Sequence, residues 1–315
     1  MRVEDIEHTA VIGAGVMGHA LAQVFAQSGY EVALMDIDRD VLRWAEGQIQ
    51  RNVELLREED LTDLTVKDVL NSIYFTTSQR EAARKADFIL ESVTENMKVK
   101  REVISKLEYQ APKHTIFATN TSGLSVTEIS EATRSPERVV GCHWWNPPYI
   151  MPLVEVIQGE NTSPETVQAT HGFLKTLGKE PIDVKKEVPG FIWNRLQIAV
   201  IREALHLLEE GVASVKDIDR AVKKGYALRS LVVGPFETMD LSSLNLFRAV
   251  SANLNPNLSN ASEPSRLFEE KIKRGELGVA AGRGFYDYAG RSREEVIRER
   301  DRQLMALIKY LGLMP

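Results

Sequence analysis

The sequence predicts an α/β protein, a doubly wound and mostly parallel sheet followed by a second, all-helical domain. Three observations predict it. Short apolar runs alternate with helical stretches as far as Val184, and a glycine-rich turn links the first run to the first helical stretch. Past Glu187 strand signals nearly vanish and helical spacing takes over.

In chain order, Thr9–Ile12, Glu31–Met35, Phe88–Glu91, Thr115–Thr119 and Val139–His143 read as strands rich in Val, Ile, Phe and Thr. Val16–Ser28, Arg39–Leu56 and Lys98–Gln110 carry helical spacing between them. Strand–helix alternation of this kind needs crossover connections, and so a parallel sheet covered on both faces. Leu153–Ile157 and Pro181–Val184 read as further strands, with a helix over Pro164–Leu177 between them. Charge and proline over Lys185–Pro189 interrupt the pattern, which places the boundary between a first domain of residues 1–186 and a second of 187–315.

In the second domain Phe191–Glu210 is a long helix, apolar on one side. Ser214 with Asp217 three residues on marks a capped helix start, and Gly234-Pro235 marks a break before another helix. Arg291–Pro315 reads as a terminal amphipathic helix docking on its own protein. Its polar face mixes acids and bases, which weighs against the rival reading of a membrane-surface helix.

A chain of 315 residues fits two domains, and 43% hydrophobic with 27% charged residues is ordinary for a soluble enzyme. The net charge of −6 argues against a nucleic-acid partner held by a basic surface. No apolar run approaches the ~20 residues that span a bilayer. The N-terminal stretch carries acids where a signal peptide carries bases. The single cysteine, Cys142, rules out an internal disulfide and fits a reducing compartment, so the expected location is the cytoplasm.

Gly13-Ala14-Gly15-Val16-Met17-Gly18 matches G-x-G-x-x-G, a weak pattern alone. Its context strengthens it, because it follows an apolar run and opens a helix. Gly13 permits the tight turn, Gly15 lets the backbone approach a pyrophosphate, and Gly18 allows close helix–strand packing. The backbone N–H groups from Val16 and Met17 onward then face the phosphates. Asp36 ends the second strand, where a carboxylate accepts the adenosine ribose hydroxyls and repels a 2′-phosphate. The fold is therefore expected to be Rossmann-type and the cofactor NAD, although Arg39 nearby is suited to a 2′-phosphate.

Val140-Gly141-Cys142-His143-Trp144-Trp145-Asn146-Pro147-Pro148 is followed by Pro152-Leu153-Val154-Glu155-Val156-Ile157. Spacing alone leaves His143 open as a structural histidine and Glu155 as a structural ion pair. Yet a carboxylate flanked by Leu153, Val154, Val156 and Ile157 is expected to be partly buried and to need a partner. A histidine is a suitable one.

With these residues the sequence resembles the L-3-hydroxyacyl-CoA dehydrogenase family over nearly its whole length. The matching pieces are GAGVMG, Asp36, Glu95-Asn96 with Lys98 and Lys100, Asn120-Thr121-Ser122, His143 with Asn146-Pro147, and LVEVI around Glu155. Pro189-Gly190-Phe191 with Asn194-Arg195, Gly234-Pro235-Phe236-Glu237 and Gly282-Arg283-Gly284-Phe285-Tyr286 follow in the same order.

The resemblance implies an NAD-dependent dehydrogenase that oxidises a secondary hydroxyl, with a second domain that completes the substrate cleft and forms a homodimer. His143 would be the general base and Glu155 its orienting partner. Ser122 and Asn194 would bond the substrate oxygen and its neighbouring carbonyl, with Asn146 beside them. Glu95, Lys100 and Asn120 match positions at the cofactor. Other roles stay open: Ser122 also suits the cap of a helix near Val126, Asn194 is an ordinary polar residue on a helix, and Lys100 fits a solvated helix face.

Departures from the pattern bear on the substrate. Trp144-Trp145 replace paired phenylalanines, and Pro152 stands where a lysine is usual. Arg43–Asp68 is net acidic where the resemblance places CoA-holding lysines, and an acidic surface repels phosphates. NPPYIMPLVEVI is similar to members acting on small free hydroxy acids, such as L-gulonate 3-dehydrogenase and carnitine dehydrogenase. LNPNLSN with GCHWWNPP resembles a relative that dehydrogenates a pyridine carboxylate. Arg229, before the Gly234-Pro235 break, is suited to pair a substrate carboxylate or to sit at a surface helix end. The expected substrate is a small carboxylate-bearing hydroxy compound, with a short 3-hydroxyacyl-CoA as the alternative.

Overall fold

The computed structural model describes residues 3–313; the first two residues of the N-terminal stretch and the last two of the expected terminal helix lie outside the described residues. Two compact units are present. The first holds the chain up to Asn194 together with the residues from Arg298 onward, and the second is Arg195–Ile297.

The first unit is built on eight strands: β1 (His8–Ile12), β2 (Glu31–Met35), β3 (Ile73–Thr76), β4 (Phe88–Glu91), β5 (Ile116–Thr119), β6 (Val139–Trp144), β7 (Leu153–Ile157) and β8 (Glu180–Val184). Their order is β3-β2-β1-β4-β5-β6-β7-β8. Every neighbouring pair is parallel except β6 and β7. The sheet grows outward in both directions from β1 and β4, so a crevice opens at the carboxyl ends of those two strands, where such sheets bind ligands.

The helices between the strands, among the described residues, are α1 (Gly18–Gln27), α2 (Arg39–Glu58), α3 (Val66–Asn71), α4 (Gln79–Ala83), α5 (Met97–Gln110), α6 (Val126–Ser130) and α7 (Pro164–Thr176). Alternation along β1 sends Val11 into one apolar core with Phe25, Ile49 and Phe173. Ala10 and Ile12 enter the other, with Ile104, Leu107 and Ile129. Both faces are therefore covered, as expected of a parallel sheet. The edge strand β3 and the short helices α3 and α4 were not legible in the sequence, whereas α6 starts at Val126, where a helix was expected. β3 has four residues and leaves Tyr74 to solvent, so it lacks the continuous apolar run of an inner strand.

The helix α8 (Trp193–Glu209) crosses the division between the units. The division falls after Asn194, beyond the expected boundary at 186/187, because the intervening segment stays bonded to the sheet unit. Glu187 accepts from Ser125 Oγ (2.8 Å) and Val126 N (2.8 Å), and Glu155 accepts from Ile192 N and Trp193 N.

The second unit contains α9 (Val215–Ala221), α10 (Ala227–Ser230), α11 (Pro235–Ser242), α12 (Leu244–Leu254), α13 (Arg266–Lys273) and the start of α14 (Arg293–Leu311). Ser214 caps α9 by accepting from Asp217 N (3.2 Å), as its position in the sequence predicts. Among the described residues, no apolar side chain of Arg195–Ile297 is buried. The rest of α14 docks on the first unit. Met305 and Ile308 are buried, Arg298 and Arg302 each lie 2.7 Å from Glu58, and Tyr149 Oη donates to Asp301 (2.9 Å).

Candidate active site

At the carboxyl end of β1 the chain turns through Gly13 with φ +98°. A Cβ there would lie 2.5 Å from Ser92 O, and one on Gly18 would lie 1.7 Å from Gly13 O. Both positions therefore exclude any side chain, for the turn and for close packing respectively. Gly15 is different, since a Cβ on it would meet nothing within 4 Å; its open side is room for a ligand. Val16 is 58% exposed, and the N–H groups of Val16 and Met17 donate to no group among the described residues. Unpaired donors before a helix suit an anion. Asp36 Oδ2 accepts from Ala14 N (2.9 Å), which fixes the carboxylate beside the glycine turn with lone pairs to spare. Loop, donors and carboxylate fit a dinucleotide.

The second cluster comes from the one antiparallel pair. In its register His143 on β6 stands opposite Glu155 on β7, so the two side chains share a face. His143 Nδ1 lies 2.6 Å from Glu155 Oε2. Glu155 is fully buried and His143 is 5% exposed. The other oxygen, Oε1, accepts from Ile192 N (2.9 Å) and Trp193 N (3.0 Å). Burial pushes the Glu155 pKa up, but His143 and these two amides outweigh it and hold the carboxyl below the usual range. Its charge therefore stabilises the fold above the ordinary carboxylate pKa, and that contribution is lost as pH falls through the lower folded value.

The amides reach Glu155 through an unusual turn. Gly190 has φ +77° and Phe191 φ +50°. A bulky residue there costs on the order of 1–3 kcal/mol. The Phe191 side chain is buried, with its ring 5.7 Å from that of His143. The strained turn thus holds both the carboxylate and the imidazole.

Lys100 is not on a solvated face. It is fully buried, with Nζ 2.9 Å from Glu91 Oε1 and 3.3 Å from Glu95 Oε2. Glu91, also fully buried, accepts from Thr119 Oγ1 (2.6 Å) and Val93 N (2.7 Å). Glu95 Oε1 accepts from Thr121 Oγ1 (2.6 Å) and Ser122 N (2.8 Å). An internal ion network thereby sets the turn that carries Ser122. Asn120 closes the same end of the sheet by accepting from Trp144 N (3.0 Å).

Ser122 is exposed, and its carbonyl accepts from Asn194 Nδ2 (2.9 Å), so these two expected site residues meet. Ser122 does not cap α6; Ser125 does, by accepting from Glu128 N (3.1 Å). Asn146 is exposed just beyond β6. Arg229 lies exposed on α10 in the second unit.

Three contributors were not read from the sequence. Glu91 is a charge closing an apolar strand, the same signal that marked Glu155. Trp193 stacks on Trp145 at 4.1 Å between ring centroids and 24° between planes. Lys179, with its pKa pushed down to about 8 by burial, donates to Pro148 O (2.9 Å) and Met151 O (3.1 Å). It fastens the connection between β6 and β7.

A crevice that fits a dinucleotide, on a sheet that also carries a buried imidazole–carboxylate pair, fits an NAD-binding dehydrogenase. Residues 8–188 match the 3-hydroxyacyl-CoA dehydrogenase NAD binding domain, and residues 190–288 the 3-hydroxyacyl-CoA dehydrogenase C-terminal domain. The chain belongs to the 3-hydroxyacyl-CoA dehydrogenase family. It is 34% identical to 5-formyl-3-hydroxy-2-methylpyridine 4-carboxylate 5-dehydrogenase of Mesorhizobium japonicum, over 97% of this chain and 98% of that protein. With the mitochondrial hydroxyacyl-coenzyme A dehydrogenase of Rattus norvegicus it shares 36% identity, over 90% and 91%. The crystal structure of a 5-formyl-3-hydroxy-2-methylpyridine 4-carboxylic acid 5-dehydrogenase, described as an NAD+-dependent dismutase, superposes with a TM-score of 0.90 at 33% identity. It covers 98% of this chain and 99% of that one.

Proposed function

We propose that the protein oxidises the hydroxyl of a small, free carboxylate-bearing compound, with His143 as general base. The 2.6 Å contact between His143 and the buried Glu155 carries this reading. NAD, when bound, accepts the hydride. His143 takes the hydroxyl proton on Nε2, because Nδ1 is committed to Glu155. Glu155 fixes that tautomer and stabilises the imidazolium that forms. Ser122 and Asn194, already joined, offer donors to the substrate oxygen and its neighbouring carbonyl, with Asn146 at the rim. Gly13, Gly15, Gly18, Val16, Met17 and Asp36 hold the cofactor; Glu95, Lys100 and Asn120 shape its crevice. Arg229 is proposed to pair the substrate carboxylate.

The preference for a free acid rests on charge. Glu58, Glu59 and Asp60, at the end of α2 where the resemblance places CoA-holding lysines, face Arg298, Arg302 and Lys309 of α14 within 3.8 Å. There the acids take up the bases that face them, which leaves no excess of positive charge for CoA phosphates. The experiment compares turnover of 3-hydroxybutyryl-CoA with that of free hydroxy acids. Faster turnover of the thioester overturns the free-acid reading in favour of 3-hydroxyacyl-CoA dehydrogenase activity.

Asp36→Ala is expected to lower the preference for NAD over NADP by about tenfold or more, as one charge-assisted contact is lost. Steady-state kinetics with both cofactors measure this. Equal use of NADP by the unmodified protein would sink the role given to Asp36.

We also infer a homodimer through the helical unit. Val232, Phe236 and Leu241 are 80%, 77% and 75% exposed, and a helical unit with no buried apolar side chains among its described residues has half a core. A second copy supplies the other half. Phe236→Asp is expected to shift sedimentation toward the monomer; an unshifted dimer contradicts this surface. Among the described residues no helix is long and apolar enough to cross a membrane. The buried free thiol of Cys142 fits the cytoplasm.

A further inference from the structure

The stacked indoles of Trp145 and Trp193 have no role in the chemistry above. Trp145 lies two residues after His143, immediately past the end of β6. Trp193 donates its backbone N–H to the same Glu155 that holds His143, and Asn194 follows it directly. The stack is thus tied to the base from both segments that build the site. Neither indole is sealed in the core, since both are intermediate in exposure.

We propose that the Trp145–Trp193 stack is the specificity wall of the substrate site and selects a planar, ring-bearing carboxylate. This rests on the free-acid reading above. Near-parallel indoles offer a flat outer face that a third ring continues by offset stacking. A box around a quaternary ammonium needs rings set at large angles to one another, which a 24° pair does not provide. An aliphatic chain gains only area against such a wall, whereas a ring gains area and stacking together. Trp145 and Trp193 are positioning and specificity groups here, and neither moves a proton.

The test uses the full-length protein saturated with NADH and two unreactive probes of similar size, pyridine-4-carboxylate and cyclohexanecarboxylate. Calorimetry or quenching of tryptophan fluorescence reports their dissociation constants. The planar probe is expected to bind about tenfold more tightly, the order of a good aromatic contact. Trp145→Leu should bring the two probes to near parity with NADH affinity unchanged, while Trp145→Phe, which keeps a flat ring, retains most of the preference. Trp193→Leu should reproduce the loss. Equal binding of both probes to the unmodified protein overturns the proposal, and so does a preference that survives Trp145→Leu. Binding of neither probe, with turnover of 3-hydroxybutyryl-CoA alone, overturns the free-acid reading beneath it. That outcome is distinct from equal binding, which leaves the free-acid reading standing.

Discussion

His143→Gln is expected to lower kcat by at least ~10²-fold while NADH binding survives, the loss anticipated when a general base is removed. The substitution keeps a polar side chain of similar reach beside Glu155, so the amides of Ile192 and Trp193 retain their acceptor. What disappears is the imidazole proposed to take the hydroxyl proton. KM is expected to change little, because the imidazole acts on the hydroxyl as it reacts more than on the substrate as it binds. Glu155→Gln should give a smaller loss, since the base remains but its tautomer and charge are no longer held. Stopped-flow and steady-state formation of NADH, with NADH fluorescence titration as the control, separate these effects. Turnover in His143→Gln equal to that of the unmodified protein would remove the basis for calling this pair the active centre.

Much of this was legible because the informative residues obey local rules. Gly13 and Gly18 tolerate no side chain, and that constraint writes itself into the sequence as a glycine pattern. Glu155 was visible as a charge inside an apolar strand, which physical chemistry allows only with a partner. Its pairing with His143 depends on the antiparallel register of β6 and β7, which no local pattern encodes; the family resemblance supplied it.

Other features depend on tertiary context. Lys100 on α5 has the spacing of an ordinary helix lysine, and only the fold reveals that its ammonium is enclosed by Glu91 and Glu95. The extension of the first unit to Asn194 follows from bonds made by Glu187 and Glu155 across long separations in the chain. The stacking partner of Trp145 lies 48 positions along the chain, in α8.

Lys100→Met should be among the most destabilising single substitutions in the sheet unit. The ammonium and the Glu91 carboxylate are both fully buried, and two hydrogen bonds of 2.9 and 3.1 Å join them. Methionine fills the space but leaves a carboxylate with no counter-charge, which costs about 3–5 kcal/mol when one partner of a buried pair is removed. At roughly 2–4 °C per kcal/mol for a unit of this size, the melting temperature should fall by about 6–20 °C. The pair itself is not the source of that stability, since a neutral replacement of both partners is often tolerated. Adding Glu91→Gln to Lys100→Met should therefore restore more than half of the loss, because the amide still accepts from Thr119 and needs no cation. Activity should not recover with it: Glu95 would still lack the ammonium that steadies its hold on Thr121 and on Ser122 N. Calorimetric melting of both variants decides the first point and turnover of the double variant the second. A Lys100→Met protein as stable as the parent, or a double variant no more stable than the single one, would show that the burial of this pair carries no such cost.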